Sequence, residues 1–260
     1  MIKKIIIPIL FVFGLFTNTN AQVTSDSVMM VKKGILVIPF HPLNYFANGA
    51  EFICAANHIT PAELDDLIRN KTEKLMLEKL SSNFKVKGME GKAEDKTSDV
   101  AFLYSYTTYQ QEMKKLNAYY ISDPTKNGKN SLLPTKAKKY NTKLTNNDEL
   151  ASYPEHRYFK AMYHNDTMIE GFSKQYGTDY VLNIDHFEMQ TRYDDCHDME
   201  KNVFQRDIYL HYTFTDNKGK FIDGGVAAIT YNSKGGDLNE LLETNFGTLT
   251  QMIADRIWDL

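Results

Sequence analysis

Residues 166–190 read Asp-Thr-Met-Ile-Glu-Gly-Phe-Ser-Lys-Gln-Tyr-Gly-Thr-Asp-Tyr-Val-Leu-Asn-Ile-Asp-His-Phe-Glu-Met-Gln, and the fold turns on this stretch. Met168, Ile169, Phe172 and Tyr176 fall at i, i+1, i+4 and i+8, the spacing of one apolar helix face. Gly177 comes at once after them, where a left-handed residue ends a helix without a Cβ penalty. Tyr180 to Ile184 then reads as a strand apolar enough to be buried. Helix, glycine and strand together form an αβ unit, with its neighbours arranged around it.

Upstream, Gly34-Ile-Leu-Val-Ile-Pro-Phe40 has the composition of a central strand covered on both faces. Residues 41–58, with Pro42, Asn44, Asn48 and Gly49, read as an irregular connection. Thr60, Pro61 and Glu63 form a capping box with proline at the first helical position, and Ile59 and Leu64 supply the staple. Leu64, Leu67, Ile68, Leu75 and Leu80 mark the buried side of that helix. Phe84 to Lys87 alternates as a short strand and closes a β-α-β unit.

Downstream, Ile208, Leu210, Tyr212 and Phe214 alternate with Tyr209, His211 and Thr213, which predicts a strand. The turn Asp216-Asn-Lys-Gly219 leads into a second strand, Phe221 to Tyr231. Gly224, Gly225, Ala227 and Ala228 leave that strand thin, so a neighbour can approach closely. Asp237 caps a last helix with Glu240 at its third position and an apolar face from Leu238 to Ile257. The order predicts an α/β (α+β) sandwich: a mixed sheet of four to five strands flanked by helices, with a long insertion.

The insertion spans residues 92–165. Asp99 to about Tyr120 has helical character, and Ser122 to Glu155 is poor in apolar residues. Eight lysines stand between Lys114 and Lys143 against one acid, Asp123, and nine of the sixteen tyrosines fall between Tyr104 and Tyr163. Lys129, Lys136, Lys138 and Lys139 offer point charges to an acidic partner, and Tyr119, Tyr120 and Tyr140 offer flat amphipathic faces. The bland reading is a solvated loop whose tyrosines pack partly on the core.

The chain has 260 residues, 42% hydrophobic, enough for a sizeable core. Lys3 and Lys4, the apolar run Ile5 to Phe16, and small residues at Thr19 and Ala21 have the pattern of a signal peptide over residues 1–21. Cleavage is expected between Ala21 and Gln22, leaving residues 22–260 as one periplasmic or secreted α/β domain. The apolar run is well short of the ~20 residues that span a bilayer, so stable membrane insertion after cleavage is not expected. Without Lys3 and Lys4, 28 basic residues face 33 acidic ones, a balance that does not favour nucleic acid as a partner. Cys54 and Cys196 allow a single bridge in an oxidising compartment; two free thiols, or zinc with His58 and His197, are the other readings.

Known catalytic and cofactor strings are absent, and no cofactor is expected. The best acid/base candidates are His186 and Glu188, two residues apart and so on one strand face, with Asp185 pointing the other way unless the strand has ended before it. The acidic stretch 194–200, Asp-Asp-Cys-His-Asp-Met-Glu, reads as a loop with carboxylates for a divalent cation, although the calcium-loop spacing is missing. A polar strand end and a solvated loop are the competing readings of these features.

Gln175-Tyr-Gly-Thr-Asp-Tyr-Val-Leu182 is similar to the helix-to-strand junction of one periplasmic α/β domain, and Tyr212-Thr-Phe-Thr-Asp-Asn-Lys-Gly-Lys220 to its strand-turn-strand. That domain is shared by CsgG-like curli-secretion proteins, the amino-terminal domain of TolB and LpoB-type activators of penicillin-binding proteins. The resemblance covers about two-thirds of the mature chain by element order, but the lipid-bearing cysteine is missing and the insertion has no counterpart. It implies an exported, non-catalytic envelope protein that binds or assembles with an envelope protein or an anionic polymer; a homo-oligomer is compatible with it. The alternative is a periplasmic hydrolase or metal-dependent enzyme using His186, Glu188 and the 194–200 stretch.

Overall fold

The computed structural model describes residues 32–89, 95, 97–113, 121–122, 157–198, 203–234 and 236–260. The proposed signal peptide and its cleavage point lie outside the described residues, as do Tyr119, Tyr120, Lys129, Lys136, Lys138, Lys139 and Tyr140.

Strand β1 (Gly34–Ile38) is buried along its whole length, as its unbroken aliphatic run requires. Residues 41–58 are more regular than expected: a 3₁₀ turn (Pro42–Asn44), β2 (Tyr45–Ala47) and helix α1 (Ala50–Asn57). The sequence hides α1 because it is short and begins at Gly49 with no side-chain cap. Helix α2 (Pro61–Leu80) starts on the expected reciprocal box, with Thr60 accepting from the Glu63 amide and Glu63 accepting from the Thr60 amide. Strand β3 (Lys85–Gly88) comes next.

Helix α3 stops at Ser105 (Asp99–Ser105), far short of the expected Tyr120, and the chain turns into β4 (Thr107–Met113). The Thr107 hydroxyl bonds the Leu103 carbonyl at the helix end, and β4 then pairs antiparallel with β6 (Arg157–Tyr163). A distant strand thus overrides the local helical tendency. Two residues between them, β5 (Ile121–Ser122), run parallel to the last strand of the main sheet. Helix α4 (Asp166–Tyr176), ended by Gly177 at φ 64°, leads into β7 (Tyr180–Asp198), as the pattern of residues 166–190 predicts. Strands β8 (Val203–Asp216) and β9 (Phe221–Lys234) and helix α5 (Phe246–Trp258), entered through a π-helical turn at Glu240–Asn245, complete the chain.

The main sheet is mixed and has seven strands in the order β3-β1-β7-β8-β9-β5, with β2 also pairing β7 beyond the end of β1. Strands β1 and β3 run parallel to β7 or to each other, and β7, β8 and β9 are antiparallel. Ile35, Val37, Leu182, Ile184, Phe187, Leu210 and Phe214 form one face with α1, α2 and α5, the larger part of the core. Leu36, Ile38 and Val181 meet α3 and α4 on the opposite face. Farther along that second face, the two-stranded ribbon β4–β6 takes the place of helices. Of the expected insertion, α3 therefore belongs to the core, and β4 and β6 form a cover.

Candidate functional site

The second face of β7 and β8 is polar beneath that cover. On β8, Asp207, Tyr209, His211, Thr213 and Thr215 alternate with the apolar set and are all buried. On β7, a register shift between Ile184 and His186 breaks the alternation. Such a bulge adds a residue and re-aims the side chains beyond it. It brings Asp185 and His186 to the same face, correcting the expectation that they point apart: Asp185 meets Thr213 while the His186 ring lies 5.3 Å from that of His211.

Asp185 is 0% exposed and accepts from the Thr213 hydroxyl and the Asn183 amide. Burial pushes its carboxyl up to about 8, against the opposing pull of those two hydrogen bonds. His186 faces the Asn44 carbonyl and packs on Phe159, with burial pushing it down to about 4. His211 is buried and held well below the usual imidazole range by desolvation, then by the neighbouring His186 and Arg157. Tyr109 on β4 and Tyr163 on β6 close over Asp185, their phenols pushed up by burial and by that carboxyl. The group thus combines a carboxyl pushed up to about 8 with two imidazoles pushed down by burial.

The expected pair lands on one face, but its members serve different neighbours. Glu188 accepts from Gln190, while His186 turns to Asn44 and Phe159. The 194–200 stretch is no loop as far as Asp198: its backbone continues β7 and pairs with β8 through two register shifts. Its side chains lie outside those described, Cys196 among them; Cys54 is a buried free thiol on α1. Among the described residues, no group of three His, Cys, Asp or Glu side chains could hold a metal ion.

Two surface features lie away from this polar face. Phe52 of α1, Tyr193 of β7 and Phe204 of β8 form a ring cluster with centroids 5.5–6.3 Å apart, and Phe52 and Tyr193 are 37% and 42% exposed. Elsewhere, a recess of about 320 Å³ is lined by Lys87, Gly88, Gln175 and Tyr176. Neither stands out in sequence, because each gathers residues from distant segments. Among the described residues, no helix is long and apolar enough to cross a membrane.

Fold and site define an α/β sandwich with a mixed sheet, one of whose faces is packed partly by helices and, over a polar part, by a β-ribbon. No protein family and no curated protein matches the chain. Two solved structures align with it at low similarity. Lipoprotein GNA1162 from Neisseria meningitidis aligns over 88% of this chain and 99% of its own, at 12% identity and a TM-score of 0.29. A minor lipoprotein from Acinetobacter baumannii aligns over 35% of this chain and 77% of its own, at 12% identity and a TM-score of 0.21. Likeness of this degree carries no argument about what the chain does.

Proposed function

We propose that this chain is an exported, non-catalytic cell-envelope protein that binds an envelope protein or an anionic polymer. The observation that carries the reading is the ring cluster of Phe52, Tyr193 and Phe204, of which Phe52 and Tyr193 are exposed. Aromatic side chains held together at a surface bring large apolar area at little entropic cost, the usual chemistry of a binding anchor. The signal-like start at Lys3 to Ala21 supports export, and the junction at Gln175 to Leu182 supports kinship with the periplasmic domain. The lysine- and tyrosine-rich residues between β4 and β6 are the second proposed contact, through Lys129, Lys136, Lys138, Lys139, Tyr119, Tyr120 and Tyr140.

Pull-down from envelope extracts tests the reading with three forms of the protein: wild type, a form lacking residues 122–155, and Phe52→Ser/Tyr193→Ser. Loss of the same partner from either altered form supports it. Equal recovery from all three removes both surfaces from consideration. The second reading, hydrolysis at His186 and Glu188, draws on the acid and imidazoles gathered around Asp185. It requires substrate to reach a face that β4–β6 covers, so turnover of ester, glycosidic or peptide substrates lost in His186→Gln would favour it.

A further inference from the structure

The ribbon is seated on the sheet by polar contacts. Two amides of β6 bond to side chains of β8: Phe159 N–H to His211 Nδ1 at 3.2 Å, and Ala161 N–H to Thr213 Oγ1 at 3.0 Å. Thr213 in turn donates to Asp185. Side-chain acceptors therefore stand where a further strand would offer carbonyls. The same contact leaves the Tyr163 hydroxyl, the His211 Nε2 and the Arg157 Nε buried without a hydrogen-bond partner. Water would satisfy all three if the ribbon lifted, so seating withholds hydration that opening restores.

We propose that β4–β6 is a pH-gated lid over the polar face of β7 and β8, seated while His211 is neutral and released when the His186–His211 pair is protonated. The gate lies in hydrogen-bond polarity. Nδ1 of His211 can accept the Phe159 amide only while it carries no proton; protonated, it is a donor facing a donor. The charge environment acts in the same direction. His211 faces His186 from β7 and Arg157 from β6. Asp185 faces Tyr109 from β4 and Tyr158 and Tyr163 from β6. Glu112 of β4 is engaged by Lys160 and Tyr158 of β6, and Asp223 of β9 by Arg256 of α5.

Linkage sets the signs. Both imidazoles are held below their ordinary range when seated, so the open form binds their protons more tightly and acid favours opening. Asp185 behaves oppositely: it is held above its ordinary range, so its contribution to seating is lost as pH rises toward about 8. Below about 6.5, two imidazoles outweigh one carboxyl; above it, the carboxyl acts alone. Seating is therefore tightest near the ordinary imidazole pKa and weakens on both sides. None of this depends on what the protein binds. Lifting the lid would uncover Asp185, His186 and His211 together.

Hydrogen–deuterium exchange of the whole chain tests this, at about pH 5, 6.5 and 8.5, with labelling times scaled to intrinsic amide rates. Residues 157–163 should lose about tenfold or more of their protection at the lowest pH while α2 keeps its own. His186→Gln/His211→Gln, which offers uncharged amides instead, should flatten the acid arm, and Asp185→Asn the alkaline arm. Protection in β6 that tracks α2 at every pH overturns the proposal, as does an acid arm of undiminished depth in the double variant. If a variant loses α2 protection and so fails to fold, the wild-type series alone decides.

Discussion

A Cβ at position 224 would come within 2.9 Å of the Tyr158 ring and 3.1 Å of the Tyr212 carbonyl oxygen, so the glycine of β9 is what lets β6 settle onto the sheet. The close approach that the thin strand predicts is made by a ring of β6. Tyr158 cannot swing clear freely, because its hydroxyl bonds Glu112 of β4. Gly224→Ala should cost about 1–3 kcal/mol in urea unfolding. Adding Tyr158→Ala should recover less than the whole loss, since the Tyr212 carbonyl is backbone and stays in place. Additive costs in the double variant would show that ring and glycine are not in contact.

Asp185 predicts how stability depends on pH. Its folded pKa of about 8 lies above the ordinary value of 3.8, so its stabilising share is full below the ordinary value and lost as pH rises through about 8. Between about pH 6.5 and 8, where the imidazoles are already neutral, the wild type should lose roughly 1.4 kcal/mol per pH unit from this group. Asp185→Asn should remove that slope and leave the variant the more stable of the two above the window. Parallel stability curves for the two proteins would refute the assignment.

Helix α2 gives a local test independent of the ribbon. Thr60 and Glu63 satisfy each other's amides, and the Thr60 hydroxyl also meets the Glu63 carboxylate, whose pKa is lowered by the Thr60 amide and then by its hydroxyl. Thr60→Ala should cost about 1 kcal/mol in chemical denaturation, and Thr60→Asn much less, because asparagine caps equally well. Equal losses in both would mean that the threonine acts through something other than its cap.

The same locality explains which elements are legible in the sequence. The capping box, the Gly177 stop and the alternation of Ile208 to Phe214 each involve only neighbours in sequence, and each is present in the fold. The polar half of that alternation is equally visible at His211 and Thr213. What covers it is not, because the cover is built from Thr107–Met113 and Arg157–Tyr163, segments 43 residues apart whose pairing no local pattern encodes. Period-two patterning tells that two faces differ; it cannot tell water from a second layer of protein. Asp185 and His186 therefore suit a solvent-facing strand end in sequence and are covered in the structure. The bulge between Ile184 and His186 is hidden for a similar reason, since it shows only against the register of β8.

At the junction between α4 and β7, Asp179 closes a two-way contact with the start of β1. Its carboxylate accepts the Gly34 amide at 2.7 Å, and its own amide donates to the Gly34 carbonyl at 2.9 Å. The side-chain bond aligns β1 with β7 at the edge of their parallel ladder, which begins with Ile35 opposite Tyr180. Asp179→Ala leaves an inward amide without its acceptor and should cost about 1.5–3 kcal/mol, whereas Asp179→Asn keeps a carbonyl oxygen and should cost less than half of that. Gly34→Ala should be worse than either, because a Cβ there would meet Thr178 Cα at 2.9 Å and the Gly177 carbonyl oxygen at 3.0 Å, backbone atoms that move only if the turn moves. Thermal unfolding of the three variants should therefore rank asparagine mildest and alanine at 34 most severe. A Gly34→Ala protein as stable as Asp179→Asn would mean that the turn after α4 is looser than its geometry, and that β1 is held by its aliphatic side chains alone.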